Sequence, residues 1–193
     1  AYVGRYSGYT KLRRLQFIAD KDSALAEKVY KLIVQELKAT NSLNVGLYQS
    51  VVEKSTELEM DEKWVSESRS SAEVLQQHLE EELEGYKKNM IKESIRMANN
   101  DFVQFYIRCG DLKNALSYCL KNRDYCTTRK HVLDMCLKVI SIALNLDNIA
   151  LVQSQALKGQ HIPSLQDAAS EAHERQKIVV ATGIAHLAKR EYG

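Results

Sequence analysis

Apolar residues recur along almost the whole chain in steps of three and four, the spacing of one face of an α-helix. After Asp22 and Ser23, either of which suits a helix N-cap, the segment LAEKVYKLIVQELKAT places Leu25, Val29, Leu32, Ile33 and Leu37 on one side. LNVGLYQSVVEKSTEL follows, with Leu43, Leu47, Val51 and Val52 in register. Trp64 introduces a long stretch from about Ser68 to Arg108, with Leu75, Leu79, Leu83, Tyr86 and Met90, then Ile95, Phe102, Phe105, Tyr106 and Cys109 in the apolar positions. Gly85 and the pair Asn99–Asn100 are poor helix formers and are the expected bends or breaks within it. The single proline, Pro163, stands before Ser164, an expected N-cap, and a stripe of Leu165, Ala168, Ala172, Val179, Gly183 and Leu187. No segment alternates with period two for long, so no strand is expected.

The second half of the chain repeats itself. YIRCGDLKNALSYCLKN, from Tyr106, resembles SIALNLDNIALVQSQALKG, from Ser141, so that Ala115-Leu116 aligns with Ala150-Leu151 and Asp111 with Asp147. GIAHLAKREYG is a third echo. A period of about 34 to 37 residues built from two antiparallel helices is the signature of a tetratricopeptide (TPR)-like solenoid. The expected fold is therefore all-α, a right-handed superhelical solenoid of TPR-like helix pairs. It divides into N-terminal helical hairpins over 1–63 and TPR-like repeats, including a long linking helix, over 64–193. The small residues Ala115, Cys119, Ala150 and Ala156 are expected where helices approach closely. The last repeat stops after its first helix, so a fragment of a longer protein is expected, with Ile184 and Leu187 exposed at its end.

Composition agrees with this picture and narrows it. The 193 residues are 45% hydrophobic and 27% charged, with one proline and eight glycines, which fits a folded helical chain and not a disordered or turn-rich one. No apolar run approaches the roughly 18 residues of a membrane-spanning helix. The absence of a signal-peptide pattern and the unpaired cysteines point to a reducing, intracellular setting. The net charge of +2 conceals segregation. Residues 1–52 carry 8 Lys/Arg against 4 Asp/Glu, residues 53–84 carry 3 against 11, and residues 85–131 carry 10 against 4. Such stretches are ordinarily solvated helix faces; the basic ones also suit an acidic protein partner. Their excess falls short of a dedicated nucleic-acid binder.

Candidate chemistry is sparse. The four cysteines, Cys109, Cys119, Cys126 and Cys136, are spaced C-x9-C-x6-C-x9-C, whereas zinc sites use pairs two to four residues apart. Cys109, Cys119 and Cys136 fall in the apolar register and are expected to pack as small hydrophobes. Cys126 lies in RDYCTTRKH near Arg129, Lys130 and His131; a cationic neighbourhood can lower a thiol pKa, but no oxyanion loop or partner triad accompanies it, and Tyr125–Thr128 is expected to pack the inter-repeat turn. Thr127 or Thr128 is an expected cap for the next helix. The five histidines form no H-E-x-x-H; His78 with Glu82 reads as a surface pair, and Glu80–Glu82 with Glu84 as a solvated run. No phosphate-binding glycine motif is present, the nearest cluster being Gly4–Gly8. No enzyme site, cofactor or metal is expected. The residues expected to contact protein are Lys11, Arg13 and Arg14 near the start, and Arg123, Arg129 and Lys130 in the middle, on charge clustering alone.

The blocks YSGYTKLRRLQFIAD, MIKESIRMANNDF and CGDLKNALSYCLKNRDYCTTRKHVLDMCLKVI closely resemble the subunit 1 family of the COP-nine signalosome (CSN), and GIAHLAKREY fits the same family. The resemblance runs from about Tyr6 to Tyr192 and is weakest over 40–85. A proteasome-lid regulatory subunit is paralogous; the YSGY and RDYCTT blocks are similar to the signalosome version. The resemblance implies a non-catalytic scaffold subunit of a complex that removes Nedd8 from cullins, with the zinc isopeptidase on another subunit. It implies other signalosome subunits and cullin–RING ligase components as partners, no small-molecule substrate or membrane, and a location in nucleus and cytoplasm. Family members carry a C-terminal PCI domain, absent from this sequence, so the chain would be the N-terminal interaction arm.

Overall fold

The computed structural model describes residues 3–163 and 168–190, with side chains from 172 onward in the second span. Among the described residues there are nine α-helices and no strand: α1 Gly8–Lys21, α2 Ser23–Ala39, α3 Val45–Lys54, α4 Glu62–Lys88, α5 Lys92–Cys109, α6 Leu112–Lys121, α7 Arg129–Asn145, α8 Ile149–Gln160 and α9 Ala168–Lys189. The all-α, helical-repeat class expected from periodicity is the one observed. The chain forms two compact units, one from the described residues of Ala1–Glu81 with Gln104–Asp111, the other from Glu82–Val103 with the described residues of Leu112–Gly193.

In the first unit, α1 and α2 are an antiparallel pair. Their turn is set by Asp22, whose carboxylate accepts from the amides of Ala24 (3.0 Å) and Leu25 (3.3 Å). Val29, Ile33 and Leu37 bury against Leu12, Leu15 and Ala19 of α1 and against α3. Leu25 and Leu32, expected on the same face, are 45% and 44% exposed. The i, i+4 row through 29, 33 and 37 supplies the contact stripe, and these two leucines flank it. Tyr48 is fully buried; its ring lies 4.6 Å from that of Trp64, and its hydroxyl accepts from the Asp61 amide at 2.9 Å. Glu27 closes the end of α3, accepting from the Ser55 hydroxyl (2.6 Å) and from the amide and hydroxyl of Thr56. These donors hold its carboxyl below the ordinary range.

The end of α5 completes this unit. The Arg108 carbonyl accepts from the Leu43 amide (3.1 Å) and the Ser42 hydroxyl (3.2 Å), and the Arg108 guanidinium donates to the Asn41 carbonyl.

The long apolar stretch after Trp64 is two helices, and its break is not where weak helix formers predicted it. Gly85 lies inside α4 and Asn99–Asn100 inside α5, while the chain turns at Asn89–Ile91 with Met90 at φ 53°. Tertiary bonds keep Asn100 helical: its side-chain oxygen accepts from Asn122 Nδ2 (3.0 Å) and Lys138 Nζ (2.9 Å). Met90, placed in the apolar series, is 83% exposed at that turn.

In the second unit, α7, α8 and α9 share a core of Leu133, Ile140, Ala143, Val152, Ala156, Ile178, Ala181 and Ala185. Helices α8 and α9 run antiparallel: Gln160 donates to Thr182 (3.0 Å), and Lys189 donates to Gln153 one turn-pair away. The expected stripe on α9 is displaced. Ile178, Ala181 and Ala185 face the core, whereas Val179 and Leu187 are each 63% exposed and Ala172 and Gly183 are exposed as well. Ser164 and Leu165 lie outside the described residues, as does the side chain of Ala168.

The internal repeat has a different register from the one that best aligns letters. Gly110 (φ 79°) and Asp147 (φ 54°) both take the left-handed conformation that ends a helix. Aligning these turns pairs the buried Leu112, Ala115 and Cys119 of α6 with Ile149, Val152 and Ala156 of α8. Ala115, Cys119 and Ala156 are fully buried at seams as expected, but Ala150 is exposed, because its match to Ala115 is out of phase with the turns.

Candidate protein-interaction surfaces

The six basic residues singled out from the sequence fall into two groups, one in each unit. On α1, Lys11 is turned inward and ion-pairs with Glu36 of α2, so its charge is spent within the fold. The Arg14 guanidinium lies 5.4 Å from the Tyr6 ring centroid, a cation–π arrangement that leaves it exposed. Arg13 is half-buried and faces Tyr9, whose hydroxyl pKa is raised by burial with Arg13 opposing.

In the second unit, Arg123 lies in the 3-10 turn Asn122–Tyr125 and contacts the Asp124 carboxylate at 3.3 Å. Arg129 and Lys130 are exposed in the first turn of α7, after Thr128, whose hydroxyl accepts from the His131 amide at 3.2 Å. That the cap is Thr128 agrees with the sequence expectation. Cations at a helix N-terminus oppose the helix dipole, so this position costs stability in place of adding it. Arg129 also lines a cleft of about 420 Å³ with Val132, Leu157, Lys158, His161, Ile162 and Pro163. Sequence reasoning missed Lys158 and His161, which come from the end of α8. Only the helix-pair repeat, which returns α8 alongside α7, carried a signal for them.

Cys119 and Cys136 are fully buried, and Cys109 is half-buried at the end of α5. Burial pushes the Cys119 thiol up to about 12. Cys126 is half-buried, and its thiol donates to the Asn122 carbonyl at 3.2 Å. Its pKa is raised: burial dominates, Arg96 and Lys138 oppose, and Asp134 and Glu93 add to the rise. The alternative of a thiol activated by Arg129, Lys130 and His131 is thus not supported. The named charges that act on the sulfur come from α5 and α7. Among the described residues, no group of three or more His, Cys, Asp or Glu is disposed to hold a metal ion. Among the described residues, no helix is long and apolar enough to cross a membrane.

Antiparallel helix pairs with left-handed turns at Gly110 and Asp147 define an all-α helical-repeat protein. Residues 61–193 match the family model of the 26S proteasome subunit RPN7, and the chain belongs to that family. It is similar over its whole length to COP9 signalosome complex subunit 1 of Arabidopsis thaliana, with 35% identity over 200 residues covering 44% of that protein. The Emericella nidulans COP9 signalosome complex subunit 1 is 33% identical over 197 residues, 39% of its length. COP9 signalosome complex subunit 1b of Drosophila melanogaster is 28% identical over 247 residues, covering 99% of this chain and 47% of that protein. The chain thus spans less than half the length of these curated relatives, and the resemblance seen in its sequence blocks is found again in them.

Proposed function

We propose that the chain is the helical-repeat interaction arm of a signalosome-type subunit 1. In this reading it is a non-catalytic scaffold within a complex that removes Nedd8 from cullin–RING ligases. The observation that carries the reading is similarity to signalosome subunits over all of the chain, including the segment before residue 61 where the family model does not reach. Its partners would be the other signalosome subunits and cullin–RING ligase components, and it would work in nucleus and cytoplasm. A second reading, the equivalent arm of a proteasome-lid subunit, draws on the description of the family itself.

The exposed basic residues Arg129 and Lys130, with Arg123 and Arg14, are the proposed contact points. Lys11 contributes less, since Glu36 already engages it. Replacing Arg129 and Lys130 with glutamate is expected to weaken binding to the assembled complex or to a neddylated cullin–RING ligase by about tenfold, one decade being about 1.4 kcal/mol. Far-UV circular dichroism should be unchanged, because both side chains are exposed and removing cations from a helix N-terminus relieves an unfavourable interaction. An unaltered affinity in a pulldown titration removes these residues from the interface.

A further inference from the structure

Helices α7 and α9 leave a groove between them, apart from the basic turn, whose floor is the outer edge of the α7–α8–α9 core. It encloses about 650 Å³. Its floor and walls are apolar: Leu137, Ile140 and Leu144 from α7, and Val180 and Ile184 from α9. Val180 is 61% exposed and Ile184 38%, so apolar surface here faces solvent. The charged residues at its rim are Lys138 and Lys177, joined by His173, and among the described residues that line it none is acidic. Lys138 is anchored, its ammonium donating to Asn100 at 2.9 Å, with the Asp101 carboxylate of α5 also acting on it, which holds it in place beside the apolar floor.

We propose that this groove docks an amphipathic α-helix from a partner protein, with an apolar face seated on Leu137, Leu144, Val180 and Ile184 and acidic residues along its flanks. The occupant is helical because both walls are helices. Their backbone groups are bonded internally, so no sheet edge is available for an extended strand. An extended segment laid on an apolar floor would leave its own amides unpaired, whereas a helix arrives with them satisfied. The flanks are acidic because, among the described lining residues, the charged side chains are lysines and none is acidic, so glutamate or aspartate gains attraction on approach while lysine is repelled. This surface is separate from the Arg129 cleft, and its occupancy stands or falls independently of which complex the chain joins.

The test uses the whole chain and a synthetic, fluorescein-labelled helix-forming peptide of about five turns. The peptide carries leucines on one face and glutamates on both flanks, and its twin carries lysines in place of the glutamates. In fluorescence anisotropy the acidic peptide is expected to bind at least about tenfold more tightly than the basic twin, and to weaken as salt rises. Val180→Glu and Lys177→Glu should each lower its affinity by about tenfold or more, the size of a truncated anchor. Leu187→Glu, on an exposed position of α9 outside the groove, should leave it unchanged. Circular dichroism confirms folding of all three variants. Equal binding of both peptides, no binding, or indifference to Val180→Glu and Lys177→Glu overturns the proposal. So does a concentration-dependent dimer in light scattering that Val180→Glu dissolves, which would assign the groove to a second copy of the chain.

Discussion

Gly110 sits at φ 79°, and a Cβ built there would lie 2.2 Å from Asn44 Nδ2. Asn44 cannot simply yield, because its Oδ1 caps α3 by accepting from the Leu47 amide at 3.0 Å. Gly110→Ala therefore carries two costs: about 1–2 kcal/mol for the left-handed conformation and about 1 kcal/mol for the disturbed cap. Urea denaturation should show about 2–3 kcal/mol lost. Gly110→Asn separates the two, since asparagine tolerates the conformation but retains the collision; wild-type stability for it would contradict the contact. The glycine was visible in the sequence as part of CGD, but its partner was not, because Asn44 comes from a distant segment that only tertiary structure brings near. Cys126 shows the same limit with the opposite sign. Cationic sequence neighbours left an activated thiol open as an alternative, and the folded surroundings raise its pKa. Iodoacetamide at neutral pH should modify Cys126 no faster than an ordinary cysteine and should spare Cys119 and Cys136 until the chain unfolds. A hyperreactive Cys126 would show the raised pKa to be wrong.

At the level of elements, α8 and α9 show why helices were legible and their facing sides were not. Periodicity identifies α9 as a helix, but Ile178, Val179, Val180 and Ala181 are apolar on successive positions, so several faces qualify. The choice is made by α8. Gly159 has no side chain, and Ile178 Cδ1 sits 2.6 Å from where its Cβ would be. Gly159→Val should force the pair apart and cost about 1–3 kcal/mol, since the buried Ile178 has nowhere to turn. Gly183, in the exposed face of α9, has nothing within 4 Å of a built Cβ. Gly183→Ala should instead stabilise by about 0.5–1 kcal/mol through helix propensity. Thermal unfolding of the two variants must move in opposite directions; a parallel shift would mean that Gly159 does not mark the α8–α9 contact. The misplaced break near Asn99–Asn100 has a similar cause. Propensity disfavours asparagine inside a helix, and bonds to Asn122 and Lys138 outweigh it.

For the molecule as a whole, helical class and repeat character were readable because both depend on a period of three to four that the chain sustains almost throughout. The repeat phase was less readable, because matching letters favours Ala115 with Ala150 whereas the turns at Gly110 and Asp147 align Ala115 with Val152. Surface function was readable only as far as charge clusters and family blocks reach. Lys158 and His161 join Arg129 through folding, and the α7–α9 groove draws on two helices separated by a third. Membership of a signalosome-type assembly is what the proposed function requires of the chain. The most direct measurement is affinity purification of the protein from its own cells, with the co-purifying subunits identified by mass spectrometry. Signalosome subunits in stoichiometric amounts are the expected result. Recovery of proteasome-lid subunits in their place, or of an intact signalosome lacking this protein, would contradict it.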